Sequence, residues 1–357
     1  MSQNHSPAAI SAAAGERNRP VLERYRTRLI DLEPKYLLQM AHLTVPATVW
    51  KYVEKAVTRS AANLVMLDLE DSIPRYDDKL LELGRNNVIR ALQELNWGNR
   101  LRFFRPRGME LDPSHDDITT IVLRAGINLD GLVYPKAQSA AEILSLEETL
   151  ARIEDAAGLI PGKIKIQILI ESAAAVEDAF DIALASRRLT GLIFGSYDYW
   201  ASLGLRSSSY RSDHPLLDYA RIRIVQAAAL VGVPAIAEMT TNYPTRDKSE
   251  DQRAAALAEF QRDCELAIDF GFAGKWTGIP EQTALASRLF RISNEEINAA
   301  ISEARAFLEV ERGGRGATMI GGKMVDRATD RVNRNVLKTA YALGLLDRDM
   351  AIELELE

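Results

Sequence analysis

The sequence predicts an α/β protein: a closed (β/α)8 barrel followed by a C-terminal helical extension with a glycine-rich flap. Three observations carry that prediction. Eight short apolar, β-branched runs alternate with longer amphipathic stretches. The runs are continuously apolar, as parallel strands covered on both faces require. The eight units occupy about 250 residues, the usual length of such a barrel. No GxGxxG opens a helix after the first run, which argues against an open dinucleotide-binding sheet.

In chain order the strands are read at 40–45 (MAHLTV), 64–69 (LVMLDL), 101–105 (LRFFR) and 131–134 (GLVY), then at 164–170 (IKIQILI), 191–194 (GLIF), 234–239 (PAIAEM) and 272–277 (FAGKWT). Helical spacing of apolar residues covers 48–61, 79–95, 139–156, 174–186, 216–231 and 249–269. Beyond the eighth strand, 294–310 reads as a helix, GGRGATMIGGK (313–323) as a mobile flap and 327–346 as a final helix. The organisation expected is a disordered tail at 1–20, the barrel at 21–290 with a lead-in helix over 21–38, and the extension at 291–357.

Composition bounds the function. Of 357 residues, 47% are hydrophobic and 26% charged, which describes a globular chain and excludes wholesale disorder. With 44 basic and 50 acidic residues the net charge is −6, and nothing advertises a nucleic-acid partner. One cysteine excludes an internal disulfide framework and a cysteine-built zinc site. The histidines His5, His42, His115 and His214 lack metalloprotease spacing. The first twenty residues do not read as a signal peptide, and no apolar run approaches the roughly 20 residues of a membrane span. A cytoplasmic protein without a membrane partner is expected.

In such a barrel chemistry sits where strands end. The second strand ends in Asp68-Leu69-Glu70-Asp71, the third in Arg105-Pro106-Arg107 and the fourth in Pro135-Lys136. The fifth runs into Glu171, the sixth into Gly195-Ser196-Tyr197-Asp198, and the seventh ends at Glu238. Converging carboxylates with Arg105 and Lys136 among them suit a hard cation and an anionic ligand. Glu171 directly follows an apolar run, so its carboxylate must find a cation or hydrogen bonds at the core edge. Asp198 is either a helix N-cap or a partner of Glu171 in holding a metal. Mg²⁺, with Mn²⁺ as the alternative, accepts one or two carboxylates and keeps waters for substrate.

Glu70 and Asp71 are either a first-turn charge pair or supports for metal-bound water. Arg105 either neutralises those acids or captures a substrate carboxylate with its planar fork. Arg107 is read as a surface residue. Lys136 has the chemistry of a Schiff-base nucleophile, but acidic neighbours would keep it protonated in an ion pair. Cys264 reads as a small core residue.

Nine pieces in order, LTVPA (43–47), LDLEDS (67–72), FRPRG (104–108), YPKAQSA (134–140), ILIESAAAVEDA (168–179), GLIFGSYDYWASLG (191–204), GFAGKW (271–276), PEQ (280–282) and KMVD (323–326), resemble the HpcH/HpaI aldolase and citrate lyase β-subunit superfamily, which includes malyl-CoA and citramalyl-CoA lyases. The resemblance spans about 40–345. It implies a homotrimer or hexamer of barrels that cleaves or forms a carbon–carbon bond in a 3-hydroxyacyl-CoA thioester, giving an acyl-CoA and a 2-oxo acid. Position by position it implies Glu171 and Asp198 as magnesium ligands, with Arg105 on the oxo-acid or enolate oxygen. Lys136 and Glu171 then fall on the substrate side, and Glu70 and Asp71 support the metal's water shell. Asp326 becomes an acid/base that reaches into a neighbouring subunit; its other reading is an N-cap of the last helix.

Three places depart from the family pattern. Met40 and Ala41 replace an Arg-Ser pair before the first strand's apolar run, Val49 replaces an arginine, and Gly278-Ile279-Pro280 replaces Ile-His-Pro. The lost basic residues belong to the CoA side, which keeps two alternatives open: a class II aldolase acting on free 2-oxo acids, and a non-catalytic barrel subunit.

Overall fold

The computed structural model describes residues 29–75 and 77–356. The expected tail at 1–20 and the first part of the lead-in helix lie outside the described residues. The rest of that helix does not form: 29–38 contain only the 3₁₀ turn Pro34–Tyr36. Pro34 holds the preceding Glu33 in an extended conformation (ψ 139°), which stops a helix from running through it.

Eight parallel strands follow: β1 (Ala41–Pro46), β2 (Leu64–Asp68), β3 (Leu101–Arg105), β4 (Gly131–Tyr134), β5 (Lys165–Ile170), β6 (Leu189–Phe194), β7 (Ala235–Ala237) and β8 (Gly274–Thr277). They lie in sequence order, and β8 closes the barrel on β1 with Trp276 opposite His42. The helices between them are α1 (Trp50–Arg59), α2 (Asp78–Glu94), α3 (Asp116–Ala125), α4 (Ala140–Ala156), α5 (Ala173–Glu177), α6 (Ala179–Leu184), α7 (Ser196–Ser202), α8 (Pro215–Val231) and α9 (Glu250–Phe270), with α10 (Pro280–Leu289) after β8.

The single helix expected over 174–186 is two short ones. Its break falls at Asp178, which leaves helical geometry (ψ 6°) while its carboxylate accepts the Ala140 N–H at 2.8 Å. The α3 segment lacked a helical reading in the sequence.

Strand alternation sorts the side chains into two cores. Val65, Leu67, Phe104, Leu132 and Ile168 face the helices. Leu64, Met66, Phe103, Val133, Leu169, Ile193 and Ile236 fill the barrel, with Tyr36 packed among them. Beneath them lies a polar floor. Gln39 donates to the Tyr36 and Thr190 carbonyls at 2.5 and 2.7 Å, His42 Nε2 contacts Gln39 Oε1 at 3.0 Å, and Gln167 donates to the same oxygen. Burial pushes the His42 imidazole down to about 3.

Cys264 is buried, as a core residue should be. Among the described residues, no helix is long and apolar enough to cross a membrane.

The C-terminal segment builds a core of its own from α11 (Asn294–Arg312), α12 (Arg327–Ala342) and α13 (Arg348–Glu353), centred on Ile297, Ala304, Leu337 and Leu354. The glycine-rich stretch read as a flap contains an antiparallel hairpin, β9 (Ala317–Ile320) with β10 (Lys323–Asp326). Gly321 and Gly322 turn it at φ 56° and 82°, values that a two-residue hairpin loop requires and glycine adopts without strain.

Candidate active site

The same alternation that fills the barrel with apolar side chains brings charge to its mouth. Leu64, Met66 and Asp68 point inward along β2, and Leu101, Phe103 and Arg105 along β3. Asp68 and Arg105 are register partners. Arg105 is 3% exposed, and its Nε donates to Asp68 Oδ1 at 2.7 Å. Its Nη1 lies 2.8 Å from Glu70 Oε2 and 3.1 Å from Asp71 Oδ2. Burial raises the Asp68 carboxyl, but the Arg105 charge overrides it and holds Asp68 below the usual carboxylate range. For Glu70 burial wins over Arg105 and pushes it up to about 7.

Lys136 stands beside this group in a left-handed backbone conformation, φ 54°, uncommon for a residue with a Cβ. That conformation aims its N–H at Glu171 Oε1, 2.6 Å away. Its ammonium lies 2.7 Å from Asp198 Oδ1, 3.7 Å from Glu70 Oε1 and 3.8 Å from Glu171 Oε2. Burial opposes that charge, yet Glu171 and Glu70 outweigh it and raise the Lys136 pKa. A protonated amine among acids is an ion-pair partner and no free nucleophile.

Glu171 is 2% exposed, and its Oε2 accepts no hydrogen bond. Burial drives its carboxyl well above the ordinary range, against the pull of Lys136. Gly195, which caps α7, gives it room: a Cβ there would lie 2.5 Å from Glu171 Cβ and 2.7 Å from its Oε2. Asp198 is in the first turn of α7 without capping it, since Gly195 holds that position. A buried carboxylate oxygen without a partner, facing a second carboxylate across one ammonium, fits a hard cation that keeps water or substrate in its remaining positions. It does not fit a closed zinc cage. Among the described residues no group of three or more His, Cys, Asp or Glu side chains is arranged around a metal position.

A cavity of about 240 Å³ opens over the cluster, lined by Asp71, Arg105, Asp198, Thr44, Tyr197, Met239, Thr241 and Trp276. Trp276 stacks near Arg105, 5.5 Å from ring to guanidinium, and its indole N–H donates to Thr44. The sequence names Asp68 only as a strand end without a role, and does not single out Thr44 or Trp276. Their signal is parity, since each falls on the inward phase of its strand.

Other expected residues sit elsewhere. Glu238 does not join the cluster; it pairs with buried Arg221 (Nε 3.0 Å) and lines a neighbouring cavity of about 850 Å³. Arg107 is no surface residue: it is half-buried on the fully buried Asp117, its Nε donating at 2.9 Å. Asp326 caps α12, its Oδ1 accepting from Ala328 N (2.9 Å), Thr329 N (3.0 Å) and Thr329 Oγ1 (3.2 Å).

A parallel barrel whose mouth gathers acids, one arginine and one lysine suits an aldolase-type carbon–carbon lyase, and the family match and the named relatives make this chain one. It belongs to the HpcH/HpaI aldolase/citrate lyase family, whose model matches residues 43–275. It is 28% identical over 299 residues to the L-malyl-CoA/beta-methylmalyl-CoA lyase of Cereibacter sphaeroides, covering 80% of this chain and 89% of that one. It is 30% identical over 288 residues to the citrate lyase subunit beta of Leuconostoc mesenteroides, covering 81% and 89%. The fold matches that of the CitE protein of Mycobacterium tuberculosis in complex with magnesium, acetoacetate and coenzyme A, with a TM-score of 0.62 and 23% identity over 86% of this chain and 99% of the other.

Proposed function

We propose that this chain is a Mg²⁺-dependent lyase, with Mn²⁺ as the alternative ion, that cleaves or forms a 3-hydroxyacyl-CoA thioester such as malyl-, citramalyl- or citryl-CoA. The observation that carries this reading is the buried, half-unpartnered Glu171 beside Asp198 and Arg105. Relatives named as lyases of CoA thioesters support it, as does the magnesium in the CitE structure.

In cleavage the 3-hydroxyl gives its proton to water as the C2–C3 bond breaks, leaving a 2-oxo acid and the enolate of an acyl-CoA. That enolate takes up a proton at C2. A bound magnesium supplies Lewis-acid stabilisation of the developing oxyanion. Arg105, pinned by Asp68 and screened by Trp276, offers a fixed positive charge to the oxo-acid oxygen. Glu70 and Asp71 hold Arg105 from the other side, and would support the water shell of a metal held by Glu171 and Asp198. Lys136 adds positive charge for the substrate carboxylate. Asp326, delivered from a neighbouring subunit of a trimer or hexamer, exchanges the C2 proton.

The test is release of acetyl-CoA or propionyl-CoA from a panel of 3-hydroxyacyl-CoA esters by the purified protein with Mg²⁺. No release from any ester overturns the reading. Met40 and Ala41 lie at the floor end of β1, away from the mouth, but exposed Val49, beyond the mouth end of that strand, puts no basic side chain there and favours a second reading, a class II aldolase on free 2-oxo acids. Solvent deuterium entering the pyruvate methyl group without CoA identifies that activity.

A further inference from the structure

We infer that Lys136 is a tethered cation that occupies the metal position between Glu171 and Asp198, and that a divalent ion binds by exchanging for its ammonium. The inference rests on the reading of those two carboxylates as a metal pair. Among the described residues, five carboxyl groups (Asp68, Glu70, Asp71, Glu171 and Asp198) meet two cations here; Arg105 contacts the first three, and Lys136 also reaches Glu70 at 3.7 Å. The Lys136 ammonium is the one charge among the remaining two, closer to Asp198 (2.7 Å) than to Glu171 (3.8 Å), and Glu171 Oε2 is left without a hydrogen bond. A divalent ion bound to both carboxylates would sit within a few ångströms of that ammonium, a repulsion that even partial burial makes large.

The fold gives the side chain a way out. Lys136 keeps 35% of its side chain exposed, so the ammonium can swing into the open mouth, on the side where a substrate carboxylate would arrive, while its stem stays in place. The backbone N–H that fixes Glu171 Oε1 does not depend on the ammonium. Exchange therefore alters the charge between the carboxylates without moving the ligand that matters most.

The test is direct binding of Mn²⁺ to the full chain, read from the loss of the free-ion electron paramagnetic resonance signal. K136M and K136Q should bind Mn²⁺ about tenfold tighter or more than the parent. K136R, which keeps the charge, should stay close to the parent. Binding by K136M and K136Q that is unchanged or weaker overturns the inference, and so does tightening by K136R. Circular dichroism and thermal unfolding without metal establish that each variant folds, and K136Q decides if K136M does not. D198N and E171Q serve as reference: loss of Mn²⁺ binding in both upholds the metal pair, so a flat Lys136 series then refutes exchange alone. Unchanged binding in D198N and E171Q refutes the metal reading itself, and exchange with it.

Discussion

Asp68 and Arg105 are neighbours twice over, as register partners across the β2–β3 ladder and as an ion pair with Nε 2.7 Å from Oδ1. Backbone pairing thus sets the guanidinium's position before any ligand arrives. Lysine cannot reproduce three contacts made by one planar fork. R105K is expected to lower kcat by about 100-fold or more, and to lower the thermal midpoint because it leaves buried Asp68 and Glu70 short of donors. D68N, which leaves the buried guanidinium short of a charge partner, should cost about 3–5 kcal/mol of stability by urea unfolding. A fully active R105K would remove Arg105 from the chemistry.

Gly195 answers to sterics alone. With only 2.5 Å between its added Cβ and that of Glu171, G195A must displace one of them. Overpacking of this kind typically costs about 1–3 kcal/mol. Weaker Mn²⁺ binding by G195A, measured by titration calorimetry, is the expected sign that the displaced group is Glu171. Binding equal to the parent's would mean that the helix moved instead.

D326N separates two roles. Asparagine caps a helix as well as aspartate does, so the thermal midpoint should hold. An acid/base that exchanges a proton with carbon is lost with the carboxyl, and kcat should fall by about 100-fold or more. Unchanged turnover would leave Asp326 as the α12 cap and nothing else.

His42 sets an acid limit on stability. Its folded pKa, about 3, lies below the ordinary 6.5. Burial of the neutral ring therefore contributes fully above pH 6.5, and the contribution is lost as pH falls toward 3. The slope is about 1.4 kcal/mol per pH unit over that window. H42Q, which cannot protonate there, should show a flatter acid limb in urea midpoints measured from pH 7 to 4. Parallel curves would mean that other groups govern the acid limb.

The strands were legible because continuous apolar runs and strand-end charges are written locally. Arg105, Glu171, Asp198, Lys136, Glu70 and Asp71 converge as the strand ends suggested. What sequence could not carry was partnership at a distance. Asp68 is legible only once β2 and β3 are in register. Glu238 ends its strand as Glu171 does, yet Arg221, on the helix that leads into that strand, claims it. Arg107 looks solvated until Asp117, ten residues on, folds back to it. Over 29–38 a 3₁₀ turn at Pro34–Tyr36 stands where the lead-in helix was expected, and the stretch read as a flap contains a hairpin because Gly321 and Gly322 suit a tight turn.

Among the described residues, the floor of Gln39, His42 and Gln167 and the fully buried Met66, Phe103 and Leu169 above it fill the inside of the barrel. For the lyase proposed above, reactants and products would then share one doorway. A fragment seated deeper would enter before the fragment nearer the rim and leave after it, and the barrel filling would turn the reaction into a queue.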